Sequence, residues 1–197
     1  MRIIAGEFRG HRLHANEGET TRPITDRAKQ SLFDSLQDCF MGERVLDCFS
    51  GSGSMGLECL SRGAATAVFV ERDRGALVAL KENVAEMGMG DRAVILPIDA
   101  YAAGSSGAGG GLHPEMHDLT IAFVDPPYSH TATGHWRNKL DELLRRLAAG
   151  AMVDGGIISF RHPTNVTIDA AALGVKVVRE LRYGEMGITW LTKLPSS

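Results

Sequence analysis

The sequence predicts an α/β protein built on a doubly wound, mainly parallel sheet. Three observations lead there. From residue 44 onward, short apolar runs alternate with stretches of helical periodicity. Several runs, such as AVILPI at 93–98 and LTIAFV at 119–124, are almost continuously apolar, as strands are when helices cover both faces. A G-x-G-x-x-G pattern, formed by Gly51, Gly53 and Gly56, stands between the first such strand and the helix after it.

The elements follow in order. Residues 1–22 read as a β-hairpin arm, with RIIAG and HRLHA as extended pieces, and Pro23 closes it. Residues 23–197 form the main domain. Its first helix, 24–40, starts at a Thr25 or Asp26 cap and places Ala28, Leu32, Phe33, Leu36 and Phe40 on one apolar face. Strands are expected at 44–49, 66–71, 93–98, 119–124 and 156–160, and helices at 54–63, 74–88 and 136–150. VKVVRELRYG and MGITWLTK close the chain as an antiparallel hairpin at the sheet edge. One segment breaks the rhythm: AAGSSGAGGGLHPEMH, residues 102–117, reads as a flexible loop, an idle insertion more than a lid.

Composition excludes several classes. With 197 residues the chain holds one domain and a small appendage. No apolar run approaches the roughly 20 residues a membrane span needs, and MRIIAGEFRG lacks the apolar core of a signal peptide, so a cytoplasmic protein without a membrane partner is expected. Cys39, Cys48 and Cys59 are odd in number and form no CxxC pair; they read as reduced cysteines in or near the core, with no metal site. The net charge of -3 rules out a global polycation, so a nucleic-acid partner needs a local patch. Arg2, Arg9, Arg12, Arg22, Arg27 and Lys29 against Glu7, Glu17, Glu19 and Asp26 supply a mildly basic one, which charge alone does not distinguish from an ordinary solvated surface.

The glycine turn points to a ligand. Glycines permit a tight turn and close approach, and free N–H groups at a helix start attract anionic groups. Glu71 ends the second strand and can accept hydrogen bonds from two ribose hydroxyls. NAD and S-adenosylmethionine both fit. Asp47, just before the turn, would repel a pyrophosphate but pair with a methionyl ammonium. Asp99 ends the third strand, where an adenine amino group would lie. Three carboxylates at successive strand ends favour a ligand rich in donors.

"FVDPPYSH", residues 123–130, follows the fourth strand, at the end where open α/β sheets bind ligands. Asp-Pro makes rigid turns commonly, and that is the competing reading. Beside a methyl donor the motif has a chemical use. An exocyclic amine on a nucleobase is a poor nucleophile, because its lone pair is delocalised into the ring. Asp125 and the Pro126 carbonyl can accept its two N–H groups, Pro126 and Pro127 fix those acceptors in advance, and Tyr128 offers a stacking face. His130, His135 and His162 read as exposed loop histidines.

The chain resembles class I S-adenosylmethionine-dependent methyltransferases with the D/N-P-P-Y/F signature, and more narrowly the RsmD family, which methylates the N2 amine of a guanine in 16S ribosomal RNA. MRIIAGEFRG, RPITDRAKQSLFDSL, LDCFSGSGSMGLECLSRGA, VDPPY and RYGEMGITWL bear the likeness, over almost the whole chain. It implies a seven-stranded Rossmann-like sheet with an antiparallel C-terminal strand. It implies cofactor binding by Asp47, Phe49, Gly51, Ser52, Gly53, Glu71, Arg72, Asp99 and Ala100, and catalysis by Asp125, Pro126, Pro127 and Tyr128. It implies substrate contacts from Arg9, Arg12, Arg22, Thr25, Asp26 and Arg27. The partner would be ribosomal RNA, alone or in a partly or fully assembled small subunit, and the enzyme a monomer. Methylation of adenine N6 or of a protein glutamine is the alternative; an NAD-dependent oxidoreductase and a non-catalytic RNA-binding module are the rivals from other classes.

Overall fold

The computed structural model describes residues 1–15, 24–37, 39–105 and 111–194, so Arg22 and Pro23 lie outside the described residues. The chain divides into two compact units, Met1–Ile98 and Asp99–Ser197.

In the first unit the arm is held, among the described residues, by one antiparallel bridge, Arg2 to Arg12, with the Ile3 N–H donating to the His11 carbonyl at 2.9 Å. A full hairpin ladder is not needed, because the arm is docked on its neighbours. Ile3 and Leu13 are buried. The Ile4 and Ala5 N–H groups donate to the Glu58 carboxylate, and the Phe8 N–H to Ser61 Oγ.

Helix α1 (Asp26–Leu36) is capped by Thr25, whose Oγ accepts from the Ala28 N–H. It stops four residues before the expected end, where Gln37 turns to φ 52. The five residues of its expected apolar face are nonetheless all buried. Each large one, such as Leu32 or Phe33, contributes roughly 1.5–3 kcal/mol by leaving water. Then come β1 (Arg44–Cys48), α2 (Ser54–Ser61), β2 (Thr66–Val70), α3 (Arg74–Glu86) and β3 (Ala93–Leu96). The strands pair in parallel, with Leu46 beside Val68 and Val68 beside Val94, giving the order β3-β2-β1.

The second unit holds α4 (Ala100–Ala103), β4 (Leu119–Val124), α5 (His135–Gly150), β5 (Met152–Pro163), α6 (Ala170–Leu173), β6 (Val175–Tyr183) and β7 (Met186–Lys193). Strand β4 is parallel to β5, and β7 runs antiparallel to both β5 and β6. The whole is the expected seven-stranded, mainly parallel sheet with an antiparallel end. Leu140, Leu143, Leu144 and Leu147 form the buried stripe of α5 at helical spacing.

Four expectations need correction. Strand β5 is longer than 156–160 at both ends. The 102–117 segment is not loop throughout: Ala102 and Ala103 belong to α4, and buried Ala103 and Met116 anchor it on either side of residues 106–110, which are outside the description. Cys48 and Cys59 are buried, but Cys39 is exposed. His135 is exposed, whereas His130 and His162 are buried. Among the described residues no helix is long and apolar enough to cross a membrane.

Candidate active site

In the first unit, β1 runs into a turn in which alternate residues, Phe49, Gly51 and Gly53, take φ of 65, 54 and 85°. The N–H groups of the turn are engaged within the protein: Phe49 and Ser50 donate to the Val70 carbonyl, Gly51 to Glu71 and Gly53 to the Ser50 carbonyl. Phe49 bears a side chain in this region, and such backbone strain, of order 1–3 kcal/mol, concentrates at functional sites. Gly53 is the N-cap of α2, with no side-chain cap. Gly56 answers a different need: a Cβ there would stand 2.4 Å from Phe69 Cε1, so its absence lets α2 lie close on β2.

The carboxylates brace this turn. Buried Asp47 accepts from the Gly56 N–H at 2.8 Å. Glu71 accepts from the Gly51, Arg72 and Asp73 N–H groups, each at 2.8 Å. Asn83 donates to the Ser52 carbonyl while exchanging hydrogen bonds with the His14 backbone, tying the arm to the turn. Ser52 Oγ is buried without a hydrogen-bond partner among the described residues. An orphan hydroxyl beside two fixed carboxylates fits the amino-acid end and ribose of S-adenosylmethionine.

In the second unit, Asp99 is not a strand end, since β3 stops at Leu96. It caps α4, accepting from the Tyr101 and Ala102 N–H groups. A cavity of about 600 Å3 opens here, with Asp99, Tyr101, Trp136, Lys139 and Arg146 in its wall. His130 stacks on Trp136 at 4.6 Å and hydrogen-bonds Tyr101 Oη through Nδ1 at 2.9 Å.

Asp125 follows the last residue of β4. The β4–β5 register sets Val124 beside Phe160, so the next residues, Asp125 and Arg161, are neighbours. Arg161 Nη1 donates to Asp125 Oδ2 at 2.6 Å. Asp125 Oδ1 is buried without a partner among the described residues. Burial raises the Asp125 carboxyl above its ordinary range, and the Arg161 charge and hydrogen bond oppose that rise. Pro126 is buried, while Pro127 and Tyr128 are half-buried. The Tyr128 ring centroid lies 5.8 Å from the Arg161 guanidinium carbon.

Arg9, Arg12, Thr25, Asp26 and Arg27 are exposed in the first unit. Asp26 is already engaged by Arg2 Nε at 2.7 Å, and Thr25 by its capping bond. Arg161 and Asn83 were not singled out from the sequence. Arg161 had a signal, a lone charge at the end of an apolar strand following the D-P-P-Y strand; Asn83 had none.

A doubly wound sheet with a glycine turn after β1, an acidic residue after β2 and a D-P-P-Y loop after β4 defines a methyltransferase of the class I fold. The family model described as "Conserved hypothetical protein 95" matches residues 1–192, and the chain belongs to that family. The chain is 33% identical over 192 residues to "Putative rRNA methyltransferase YlbH" of Bacillus subtilis, covering 95% of this chain and 96% of that one. It is 38% identical over 128 residues to "Ribosomal RNA small subunit methyltransferase D" of Escherichia coli K12, covering 65% of this chain and 60% of that one. The solved structure "Putative methyltransferase yhhF from Escherichia coli" superposes with a TM-score of 0.77 at 30% identity, over 98% of this chain and 97% of the other.

Proposed function

We propose that the chain methylates the exocyclic N2 amine of a guanine in small-subunit ribosomal RNA, with S-adenosylmethionine as methyl donor. The observation that supports this most is Asp125: a carboxylate on a proline-locked loop with one buried oxygen left without a partner among the described residues. When bound, the cofactor supplies a methyl group made electrophilic by a sulfonium. Asp47, Phe49, Gly51, Ser52, Gly53, Glu71 and Arg72 would hold its amino-acid end and ribose, and Asp99 and Ala100 are the residues proposed for its adenine.

The protein's own groups do the rest. Asp125 Oδ1 and the Pro126 carbonyl accept the two N–H groups of the amine, drawing its lone pair out of conjugation and aiming it. The two prolines keep those acceptors from relaxing away. Tyr128 stacks on the base. The proton released on N–C bond formation passes to Asp125 or to solvent. Residues 1–22 serve as an RNA-facing arm, with Arg9, Arg12, Arg22 and Arg27 meeting phosphates, in a partly or fully assembled subunit that presents the splayed base. The substrate sets the reaction in the cytoplasm.

The test is transfer of labelled methyl to small subunits, naked ribosomal RNA, DNA and protein, followed by mass-spectrometric mapping. Label on one guanine N2, lost in Asp125→Ala with S-adenosylhomocysteine binding retained, is the expected result. Label on adenine or on glutamine moves the chain to the alternative acceptors, and tight NAD binding without transfer overturns the reading.

A further inference from the structure

Asp125 needs more than proline to hold it. A carboxylate on a loop rotates about χ1 and χ2, and either oxygen can turn towards a donor. Here that freedom is removed from the neighbouring strand. Arg161 projects from β5, buried to 8% exposure, and its Nη1 takes Asp125 Oδ2 at 2.6 Å. The same guanidinium lies 5.8 Å from the Tyr128 ring, within cation–π range of the surface proposed to stack the base. One side chain therefore touches both ends of the D-P-P-Y motif.

We propose that Arg161 is a positioning residue for methyl transfer: it clamps Oδ2 of Asp125 and braces Tyr128, so that Oδ1 alone is presented to the amine. This rests on the reading that the D-P-P-Y loop holds the acceptor. With Oδ2 occupied, Asp125 offers one acceptor, and the second N–H must go to the Pro126 carbonyl. The loop then suits a primary amine seated in one orientation. The clamp also has an electrostatic consequence. Arg161 is the charged group that acts on Asp125, and Tyr128 faces the same guanidinium. Burial favours the neutral acid, which cannot accept through a protonated oxygen, and Arg161 works against burial.

The experiment compares Arg161→Gln, Arg161→Lys and Asp125→Asn with the wild type, on small subunits lacking the modification. It reads kcat, KM for cofactor, S-adenosylhomocysteine affinity, the pH–rate profile and melting. Arg161→Gln is expected to lose about 100-fold in kcat, the size of effect that misplacing a reacting group produces, with cofactor KM unchanged. Its acid limb should move to higher pH, because burial then acts on Asp125 with less opposition. Arg161→Lys keeps a charge but not the fork, and should recover part of the rate and most of the limb. A wild-type kcat and unmoved acid limb in Arg161→Gln overturn the proposal. So does equal loss in both Arg161 variants together with lost S-adenosylhomocysteine binding and lowered melting, which marks a framework residue. If Asp125→Asn is inactive while Arg161→Gln is normal, this inference alone fails; if Asp125→Asn is fully active, the reading beneath it fails as well.

Discussion

Lys29 and Glu58 form a buried ion pair, Nζ to carboxylate at 2.9 Å, with side chains 2% and 0% exposed. Neither charge is isolated. Lys29 also donates to the Arg2 carbonyl and to Ser54 Oγ, and Glu58 takes the Ile4 and Ala5 N–H groups and Arg62 Nε. Arm and α1 thus meet at one carboxylate of α2. Removing Glu58 leaves a buried charge and two backbone donors unsatisfied. Glu58→Ala should therefore lower stability by about 3–5 kcal/mol, read from denaturant midpoints at constant m. Lys29→Met should cost less, because Arg62 and the two N–H groups remain on Glu58.

Gly56→Ala is a sharper test of the cofactor turn. The added methyl would meet Phe69 Cε1 at 2.4 Å and Asp47 Cβ at 3.2 Å. Helix α2 must lift from the sheet, and the Gly56 N–H must draw away from Asp47. A loss of about 1–3 kcal/mol in stability is expected, the ordinary cost of overpacking, together with weaker S-adenosylhomocysteine binding by calorimetry. Unchanged binding would detach the turn from the cofactor.

The contrast between these residues and others shows what a sequence displays. Gly51, Gly53, Gly56 and the D-P-P-Y loop are local: neighbours in the chain are neighbours in the site, so spacing reveals them. The apolar face of α1 and the strand sequence are periodic and equally visible. Glu58, Asn83 and Arg161 act across 29 to 69 residues of chain, on Ile4, Lys29, His14, Ser52 and Asp125. Their roles depend on strand register and helix docking, which no short window contains. Burial of His162 is hidden for the same reason. In the sequence the apolar run of β5 ends at residue 160, so His162 reads as loop, and only the pairing of Arg161 with Ile188 and His162 with Gly187 carries the strand onward and buries the ring.

That ring gives a pH prediction. His162 Nδ1 lies 2.8 Å from the Pro163 carbonyl and Nε2 2.8 Å from Thr189 Oγ1. Burial lowers its pKa below the ordinary 6.5, with the Pro163 hydrogen bond and Glu180 opposing, and Arg137 and Arg182 assisting. A depressed histidine means that the unfolded chain binds the proton first. Stability from this group is complete above about pH 6.5, and falls as pH drops from there through the lower folded value. His14 acts in the reverse sense: Glu86 raises it, so its contribution is present at low pH and fades as pH rises through its raised value. Subtraction separates the two. The melting difference between wild type and His162→Gln should shrink as pH falls from 7 to 5, whereas a constant difference would mean that His162 is not held neutral.

Glu71 separates structural from cofactor roles within one side chain. Its Oε2 binds the Gly51 N–H and its Oε1 the Arg72 and Asp73 N–H groups, so it already shapes the turn before any ribose arrives. A carboxylate has about four lone-pair sites, and three bonds leave little spare capacity; ribose hydroxyls must share or displace them. Glu71→Gln keeps one acceptor oxygen but puts an NH2 against a backbone donor. Glu71→Ala loses both acceptors. If the side chain binds ribose, both variants should raise the KM for S-adenosylmethionine, Ala by about 10-fold or more, the equivalent of roughly 1.4 kcal/mol, while kcat at saturation stays near wild type. That pattern is the signature of binding shared by ground and transition states. A fall in kcat with KM unchanged would instead assign Glu71 to the shape of the turn alone, and would take the ribose contact away from β2.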